Sequence, residues 1–283
     1  MHEIDVDRAA APAFGIAEDY EPFRGDWHQH DRHQLLFAAR GTLVLTTEDR
    51  RWTLPPERAA WIARKVRHRV ESSTGCALRT VYIAAALVKR SPPRCRVFAV
   101  TPLAREMLLY AMRWGPTGRG SPPDPTGPQK RPRKRSDPSA PQGPDVDQDL
   151  ADTYFHALGA LASEWIADER PYFLPVAKSA ATARATAWID EHLDEATVER
   201  AAAAAKVSVR TLSRRFEDEL QTSYRSYLQS ARMMRAMELL ARPDASVSST
   251  AHAVGFSSLG AFTTAFTERC GETPSAYRKR VTS

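Results

Sequence analysis

Apolar and polar positions in the first part of the chain follow the pattern of short β-strands. Apolar runs rich in β-branched and aromatic residues occur at 34–38, 42–47, 52–54 and 78–84, and turn signals separate them. Several short strands at such spacing are typical of an antiparallel sandwich or barrel. This part of the chain therefore predicts an antiparallel β-domain.

The spacing of apolar residues then changes to that of helices. Positions 150–169 and 179–192 carry apolar residues at helical spacing, and the pattern continues as helix to the end of the chain. Between the two parts, 115–148 is dense in Pro, Gly, Ser and charged residues. Such a segment cannot offset its ordering entropy by burial, so we predict a disordered basic insertion. A basic arm that contacts DNA phosphates is the alternative.

The helical part is weakly duplicated with an offset of 50 residues. In each copy a serine can cap a helix, and apolar residues 4, 8 and 12 positions later can bury one stripe of that helix. A short helix (198–205 or 247–254) and a tight turn precede each capped helix, so each copy predicts a helix-turn-helix unit. Ser208, Leu212, Phe216, Leu220, Ser223 and Tyr227 correspond to Ser258, Phe262, Phe266, Cys270, Thr273 and Tyr277.

A continuous helix at 224–242 is predicted to separate the two units. Its length is about 28 Å at roughly 1.5 Å per residue. Successive major grooves on one face of DNA lie about 34 Å apart, so a rigid spacer of this size can place both units on neighbouring turns. The narrow second helix of each unit is then suited to enter a major groove.

Three runs in this part closely resemble the AraC/XylS-type DNA-binding domain: RMMRAMELL (232–240), AHAVGFSS (251–258) and GETPSAYR (271–278). The resemblance extends from about position 179 to the end of the chain. It implies that base edges are met by Arg210, Ser213 and Arg214 in copy one and by Gly260 and Thr264 in copy two. Thr211 and Thr263 lie beside these positions and complete the predicted DNA-binding set.

Two residues depart from the family pattern. Gln221 stands where the family and copy two have glycine, and Thr250 stands where the family favours a buried aliphatic side chain. A non-glycine residue in a left-handed cap costs roughly 1 to 2 kcal/mol, so copy one is expected to be looser than copy two.

The N-terminal part resembles the cupin-like sensor of a subgroup of AraC-type regulators over about 26–83. The resemblance implies a divalent-metal set with counterparts at His28, His30, Gln34 and His68. On an extended strand, positions 28, 30 and 34 face one way and His33 faces the other. Gln34 replaces a charged glutamate, which leaves three histidines as candidate metal ligands. The alternative is that these residues line the mouth of the barrel and bind an organic effector.

Charge and cysteine content limit the remaining classes. The net charge is +6, but 176–283 has 15 basic and 12 acidic residues, so charge alone does not establish DNA binding. The three cysteines lack CxxC spacing, which argues against a disulfide framework or a cysteine-built zinc site. The acidic N-terminus and the lack of a membrane-length apolar stretch predict a cytoplasmic protein that does not bind a membrane.

Together these observations predict an α+β protein with three regions. A cupin-like antiparallel β-barrel occupies 1–97, a helical connector that mediates dimerisation and carries the insertion occupies 98–175, and an all-α double helix-turn-helix domain occupies 176–283. The predicted function is transcription regulation rather than catalysis. The partners are double-stranded DNA, a small-molecule or metal effector, a second copy of the chain and, for an activator, RNA polymerase.

Two rival functions remain open from the residues alone. A metal-dependent cupin enzyme fused to a DNA-binding domain lacks the expected glutamate, and we see no activated nucleophile or paired carboxylates elsewhere. A constitutive DNA-binding protein whose barrel only dimerises predicts that loss of His28 or His68 leaves regulation intact.

Overall fold

The computed structural model describes residues 5–88, 91–117, 146–167, 173–242 and 244–282. In the described residues the N-terminal part contains ten β-strands and two α-helices, besides three short 3-10 helices. The strand bounds are β1 Ala13–Tyr20, β2 Phe23–Arg24, β3 His33–Gly41, β4 Leu43–Thr47, β5 Arg50–Leu54, β6 Arg58–Ile62, β7 His68–Ser72, β8 Cys76–Ile83, β9 Arg96–Ala99 and β10 Leu174–Pro175, and the helices are α1 Pro102–Tyr110 and α2 Val146–Trp165.

The strands pair antiparallel in two five-stranded sheets. The first sheet has the order β1-β8-β3-β6-β9, and the second has the order β10-β5-β4-β7-β2. The predicted α+β class with an antiparallel, cupin-like N-terminal domain is confirmed, and its strands form two facing sheets rather than one closed barrel. The four predicted strand segments lie in β3, β4, β5 and β8.

The first sheet is buried on both faces. On β3, Leu35 and Phe37 pack in one core with Phe155 of α2, whereas Leu36 and Ala38 pack in a second core with residues of the second sheet. Successive side chains of a strand point to opposite faces, so adjacent residues enter different cores. The N-terminal domain is therefore layered as helices, first sheet and second sheet.

The C-terminal part consists of helices among the described residues. Their bounds are α3 Ala180–Glu191, α4 Val198–Ala205, α5 Val209–Leu220, α6 Tyr224–Leu240, α7 Val247–Ala253, α8 Leu259–Cys270 and α9 Pro274–Thr282. The two predicted helix-turn-helix units are α4–α5 and α7–α8. The predicted spacer is α6, which has 17 residues and is about 26 Å long.

Helix α6 belongs to two hydrophobic cores. Tyr227 and Met234 pack in the core formed with α3, α4 and α5, whereas Met233 and Met237 pack in the core formed with α7, α8 and α9. One continuous helix therefore connects the two units through its buried faces.

Most of the predicted disordered insertion, residues 118–145, lies outside the described residues. Helix α2 begins at Val146, four residues before the predicted helix start. The boundaries 1–97, 98–175 and 176–283 stay a prediction.

The second helices of the two units, the recognition helices α5 and α8, end in left-handed residues of different type. Gln221 ends α5 with a φ of 54°, and Gly271 ends α8 with a φ of 79°. A Cβ atom added at Gly271 would meet no neighbour within 4 Å, so only the backbone angle distinguishes the two sites. An L side chain disfavours this angle, whereas glycine adopts it freely.

We predict that Gln221→Gly raises the free energy of unfolding by about 1 kcal/mol because it relieves the left-handed strain at the end of α5. The reciprocal change Gly271→Gln should lower it by a similar amount. Chemical denaturation of the two variants and the wild type measures both effects. A loss of stability in Gln221→Gly would mean that the exposed bond from Gln221 Nε2 to the Asp218 carbonyl, 2.9 Å long, outweighs the strain.

Candidate DNA interface and sensor site

The duplicated serine caps predicted from the sequence are confirmed. The Ser208 hydroxyl accepts a bond from the Thr211 backbone N–H, and Ser258 accepts one from Ala261, both at 3.2 Å. Ser223 and Thr273 cap the following helices α6 and α9 in the same way. These bonds satisfy backbone donors that the first turn of a helix leaves free.

The predicted DNA-binding residues lie on the outer faces of α5 and α8. Arg210, Arg214, Gly260 and Thr264 are exposed, and Thr211, Ser213 and Thr263 are half-buried. On the opposite faces, Leu212, Phe216 and Leu220 are buried in α5, and Phe262 and Phe266 are buried in α8. Each helix therefore buries its apolar stripe and leaves the opposite, polar face available to a partner.

Adjacent arginines in α5 have different roles. Arg214 is exposed, whereas Arg215 is half-buried and donates a bond of 3.0 Å from Nη1 to the Ser179 hydroxyl at the start of α3. The helical period of 3.6 residues turns neighbouring side chains about 100° apart, which separates them. Arg214 points outward with the candidate interface, and Arg215 helps to hold the recognition helix.

Glu219 fastens the end of α5 to the start of α3, a role that the sequence analysis missed. Its carboxylate accepts bonds from the backbone N–H groups of Lys178 and Ser179, from the Ser179 hydroxyl at 2.8 Å and from the Thr182 hydroxyl at 2.7 Å. These bonds hold the pKa of Glu219 below its usual value, although burial opposes them. A carboxylate at a helix N-terminus is also favoured by the helix dipole.

Copy two uses the opposite charge at the corresponding position. Arg269 lies 50 residues after Glu219 and donates a bond of 2.7 Å from Nη2 to the Ser230 hydroxyl of α6. In both copies, the same face of the recognition helix is therefore bonded to the helix that precedes the unit. The 50-residue offset was the signal that could have linked the two residues, but their unlike charges concealed the correspondence.

The turn before α8 requires glycine. Gly255 has a φ of 80°, and a Cβ atom there would lie 2.6 Å from the Leu193 carbonyl oxygen. Arg232 donates to the same carbonyl through Nε at 3.1 Å and Nη2 at 2.9 Å. The two units thus meet at Leu193. Thr250 is buried, and its hydroxyl has no hydrogen-bond partner among the described residues, which fits its departure from an aliphatic pattern.

Three histidines meet in the N-terminal domain. His28 and His68 exchange both backbone hydrogen bonds, each 2.9 Å long, and their rings lie 4.3 Å apart. The ring of His30 lies 5.2 Å from that of His68. One ring nitrogen of each of the three histidines lies within 4.8 Å of the others. The structure therefore brings together the three predicted metal ligands.

Backbone carbonyls fix the tautomer of all three histidines. Nδ1 of His28, His30 and His68 lies 2.9, 2.7 and 2.9 Å from the carbonyl oxygens of Asp26, Arg32 and Val66, respectively. A carbonyl oxygen only accepts, so Nδ1 carries the proton and Nε2 carries the lone pair. Metal-binding histidines are held in this way by their second nitrogen.

Gln34 completes the cluster with its amide oxygen. Its Nε2 donates to the Thr80 hydroxyl at 2.9 Å, and the Thr80 hydroxyl itself donates to the Leu35 carbonyl, which fixes the direction of the amide. Gln34 Oε1 then lies 3.1 Å from His30 Nε2. Two acceptors therefore face each other in a buried site, an arrangement that a cation between them would satisfy.

Burial favours the neutral form of His30 and His68. Desolvation lowers the pKa of His30, and it lowers the pKa of His68 to about 3. His33 faces the other way, as its strand position predicts: its ring stacks on Trp61 at 4.9 Å, and its Nδ1 accepts from the Arg64 backbone N–H. His33 is therefore not part of the cluster.

None of the described helices has the length and apolar character needed to cross a membrane.

Two family models match two separate parts of the chain. Residues 11–120 match an AraC-like ligand binding domain, and residues 201–280 match a helix-turn-helix domain. The chain belongs to the AraC family of transcription regulators, with an N-terminal ligand-binding domain and a C-terminal helix-turn-helix DNA-binding domain. The family consists of transcription regulators, not enzymes.

Individual relatives agree with this assignment. The HTH-type transcriptional regulator NimR of Escherichia coli K12 is 25% identical over all of this chain and 92% of its own length. The HTH-type transcriptional activator RhaS of Escherichia coli is 32% identical over 94 residues, which are 33% of this chain and 34% of RhaS. The C-terminal domain of AraT, a response regulator from Geobacillus stearothermophilus, is 33% identical, with 36% of this chain and 86% of that chain covered and a TM-score of 0.34.

Proposed function

We propose that this regulator reads operator DNA through the outer faces of α5 and α8, and that the histidine cluster of its N-terminal domain senses the effector. The observation that carries the first part is the pair of capped helices whose opposite faces are buried and whose outer faces are polar. The proposed contact residues are Arg210, Thr211, Ser213, Arg214, Gly260, Thr263 and Thr264.

The two recognition helices contribute unequally to sequence reading. An arginine can donate two bonds to guanine O6 and N7, which provides about 1 to 3 kcal/mol of discrimination. Glycine has no side chain to read a base, and threonine has one short hydroxyl. Arg210 and Arg214 of α5 therefore supply most of the sequence preference, and Gly260 and Thr264 of α8 chiefly allow a close approach to the DNA.

We predict that Arg214→Ala lowers discrimination at one base pair of the selected operator by about 1 to 3 kcal/mol. Thr264→Ala should change the preferred sequence less. Selection from randomised duplexes, followed by binding measurements at fixed salt, tests the ranking. Arg214→Lys is the matched control: it keeps the charge but loses the paired donors, so it should retain non-specific affinity and lose preference. A larger change of preferred sequence in Thr264→Ala would reverse the ranking.

We propose that the effector site binds a divalent transition metal through His28, His30 and His68, with Gln34 Oε1 as a fourth donor. The fixed Nε2 lone pairs, the buried Nε2 of His68 without a hydrogen-bond partner and the facing acceptors of His30 and Gln34 support this donor set. Neutral imidazoles suit zinc, copper, iron and nickel. A bound ion would accept the facing lone pairs and join two separate segments of the chain, 28–34 and the start of β7.

We predict that the wild-type protein takes up one equivalent of Zn²⁺ in calorimetric titration and that His68→Ala does not. His156→Ala, an exposed histidine on α2, should bind as the wild type does. Metal at 100 times its Kd should stabilise the wild type by about 2.7 kcal/mol in thermal unfolding. If purified protein neither contains nor takes up a stoichiometric metal, the site instead serves an organic effector.

We further propose that the protein is a homodimer that uses an apolar face of α1 and α2. The side chains of this face recur three or four residues apart on each helix, and Leu103, Tyr110 and Leu150 are 57%, 43% and 43% exposed. Tyr110 contacts Tyr154 at 5.5 Å, which joins the two helical stripes. Exposed apolar side chains at helical spacing suit helix–helix packing between copies. The face consists of Leu103, Met107, Tyr110, Leu150, Tyr154, Ala157 and Leu161.

We predict that Leu150→Glu shifts the protein from dimer to monomer in sedimentation velocity at micromolar concentration, because a charge is placed in the apolar contact. Leu259→Glu, an exposed leucine on α8 outside this face, should leave the mass unchanged. A wild-type protein that sediments as a monomer would contradict the proposed dimer.

The proposed signal is a change in the arrangement of the DNA-binding domains. An effector shifts such an equilibrium only by its differential affinity for the two arrangements. A regulator of chromosomal operators would act in the cytoplasm, and an activator would also contact RNA polymerase. Loss of metal response in His68→Ala with unchanged basal DNA affinity distinguishes a sensor from a constitutive DNA-binding protein.

A further inference from the structure

One strand of the N-terminal domain and the turn after it contact three separate helices of the DNA-binding domain. The contacting residues are Arg51 and Thr53 of β5 and Glu57 in the following turn; we call these three residues the clasp. They reach α3, which packs on the first unit, α6, which lies between the units, and α9, which packs on the second unit.

Arg51 makes the strongest contact. Its Nη1 and Nη2 donate to Oδ2 and Oδ1 of Asp190 at 2.6 and 2.8 Å, and the two side chains are only 30% and 28% exposed. This paired geometry is the strong form of an arginine–carboxylate contact. Helix α3 packs with α4 and α5, so Asp190 transmits the contact to the body of the first unit.

Thr53 contacts the helix between the units. Its hydroxyl donates to Glu238 Oε1 at 3.1 Å, while Arg235 of α6 donates to Glu238 Oε2 at 2.7 Å. Both carboxylate oxygens of Glu238 are therefore used, one within α6 and one toward the N-terminal domain.

Glu57 contacts the second unit. Its Oε2 lies 3.7 Å from Nη1 of Arg280 on α9, and Arg280 also pairs with Glu272. Tyr277, which precedes Arg280 by one helical turn, is buried in the core with α7 and α8. The contact between Glu57 and Arg280 therefore connects the N-terminal domain to the core of the second unit.

Apolar packing and polar bridges both contribute to this interface, since Leu174 of β10 is buried in the core formed with α3 to α6. A cleft of about 590 Å³ lies between the domains, and its lining includes Arg51, Thr53, Asp190, Met234 and Glu238. The polar bridges beside this cleft therefore add to the apolar contact of Leu174 in setting the relative position of the domains.

The clasp leaves the candidate DNA faces open. Arg210, Arg214 and Thr264 are exposed, and none of the described contacts of the clasp involves them. The interface therefore does not act by covering the recognition helices. It adds a connection between units that are otherwise joined through α6 and through the close approach of Gly255 to Leu193.

We infer that Arg51, Thr53 and Glu57 are positioning residues that fix the relative placement of the two recognition helices. The relative orientation of the units depends on the two ends of α6, at Tyr224 after α5 and at Leu240 before α7. Ties from one strand to α3 and α9 close a ring of contacts around these joints. The ring pre-organises both units for half-sites at one spacing, so part of the ordering cost of binding is met before DNA is bound.

This inference rests on the proposed DNA interface, and the test separates the two. The probes are a duplex selected from a randomised pool by the full-length wild-type protein and the same duplex with either half-site scrambled. The ratio of affinities for the two-half-site and one-half-site duplexes reports the placement of the units. Binding to one half-site reports the recognition helices alone.

We expect Arg51→Asp and Asp190→Arg each to lower this ratio about tenfold, with one-half-site affinity unchanged. The double variant, which restores the ion pair with reversed charges, should return the ratio to within about threefold of the wild type. Glu57→Gln should also lower it. Asp19→Asn, which breaks the 2.9 Å pair with Arg79 inside the N-terminal domain, is the matched control and should not change it.

A merely structural role of the clasp would not change how affinity depends on the spacing between the half-sites. Insertion of one or two base pairs between the half-sites should weaken the wild type sharply and Arg51→Asp little. The inference is overturned if the single variants leave the ratio of two-half-site to one-half-site affinity unchanged or raise it. It is also overturned if the double variant does not return this ratio toward the wild-type value. Loss of one-half-site binding on removal of Arg214 in the wild-type background supports the DNA interface separately, so failure of either claim is recognised.

Discussion

The burial of α6 on two sides is the constraint on which the DNA-binding domain depends. Tyr227, Ala231 and Met234 enter the first core, whereas Met233, Ala236 and Met237 enter the second. Neither unit can rotate about this helix without exposing apolar side chains, and each buried methionine or tyrosine contributes roughly 1.5 to 3 kcal/mol of transfer free energy. The distance and direction between the recognition helices are therefore set mainly by the hydrophobic effect, and the polar contacts adjust what remains.

Charged groups are divided between structure and interface along the same helices. Arg215, Glu219 and Arg269 are half-buried and bonded to neighbouring helices, whereas Arg210 and Arg214 are exposed and form no ion pair among the described residues. An arginine already paired with a carboxylate would have to lose that partner before it could bond to a base or a phosphate. Leaving the outward arginines without acidic partners preserves their donors for DNA.

The sequence predicts the helices of this protein better than its strands, for local reasons. Helix α4 has its predicted bounds, and both serine caps are present, because caps and stripes depend on residues within one or two turns. Strand β6 was missed because all five of its residues are buried, which removes the alternation. Strand β7 alternates in burial, but two of its three inward residues are His68 and Ser72, so hydropathy does not reveal the strand.

The geometry of the candidate sites is likewise only partly predictable from the sequence, because it depends on residues far apart in the chain. Strand parity predicted that His28, His30 and Gln34 share a face, but the direction of the Gln34 amide depends on Thr80, 46 residues away. The contact between Arg51 and Asp190 joins residues 139 positions apart, and no local pattern marks either residue. Contacts of this kind depend on how whole elements pack, and a single sequence carries no periodic signal for them.

The second sheet places the histidine cluster and the clasp in one hydrogen-bonded framework. His68 begins β7 and pairs with Thr47 of β4, and the neighbouring Thr46 pairs with Arg51 of β5. Adjacent strands are about 4.8 Å apart, so two strand spacings of about 10 Å separate His68, a residue of the proposed effector site, from the arginine that contacts α3. In the proposed function, a ligand held by His68, His28 and His30 would act on β7, whose backbone bonds connect it through β4 to β5. Because hydrogen-bonded strands shift together more readily than they slip in register, the sheet offers a short mechanical connection from effector to DNA-binding domain.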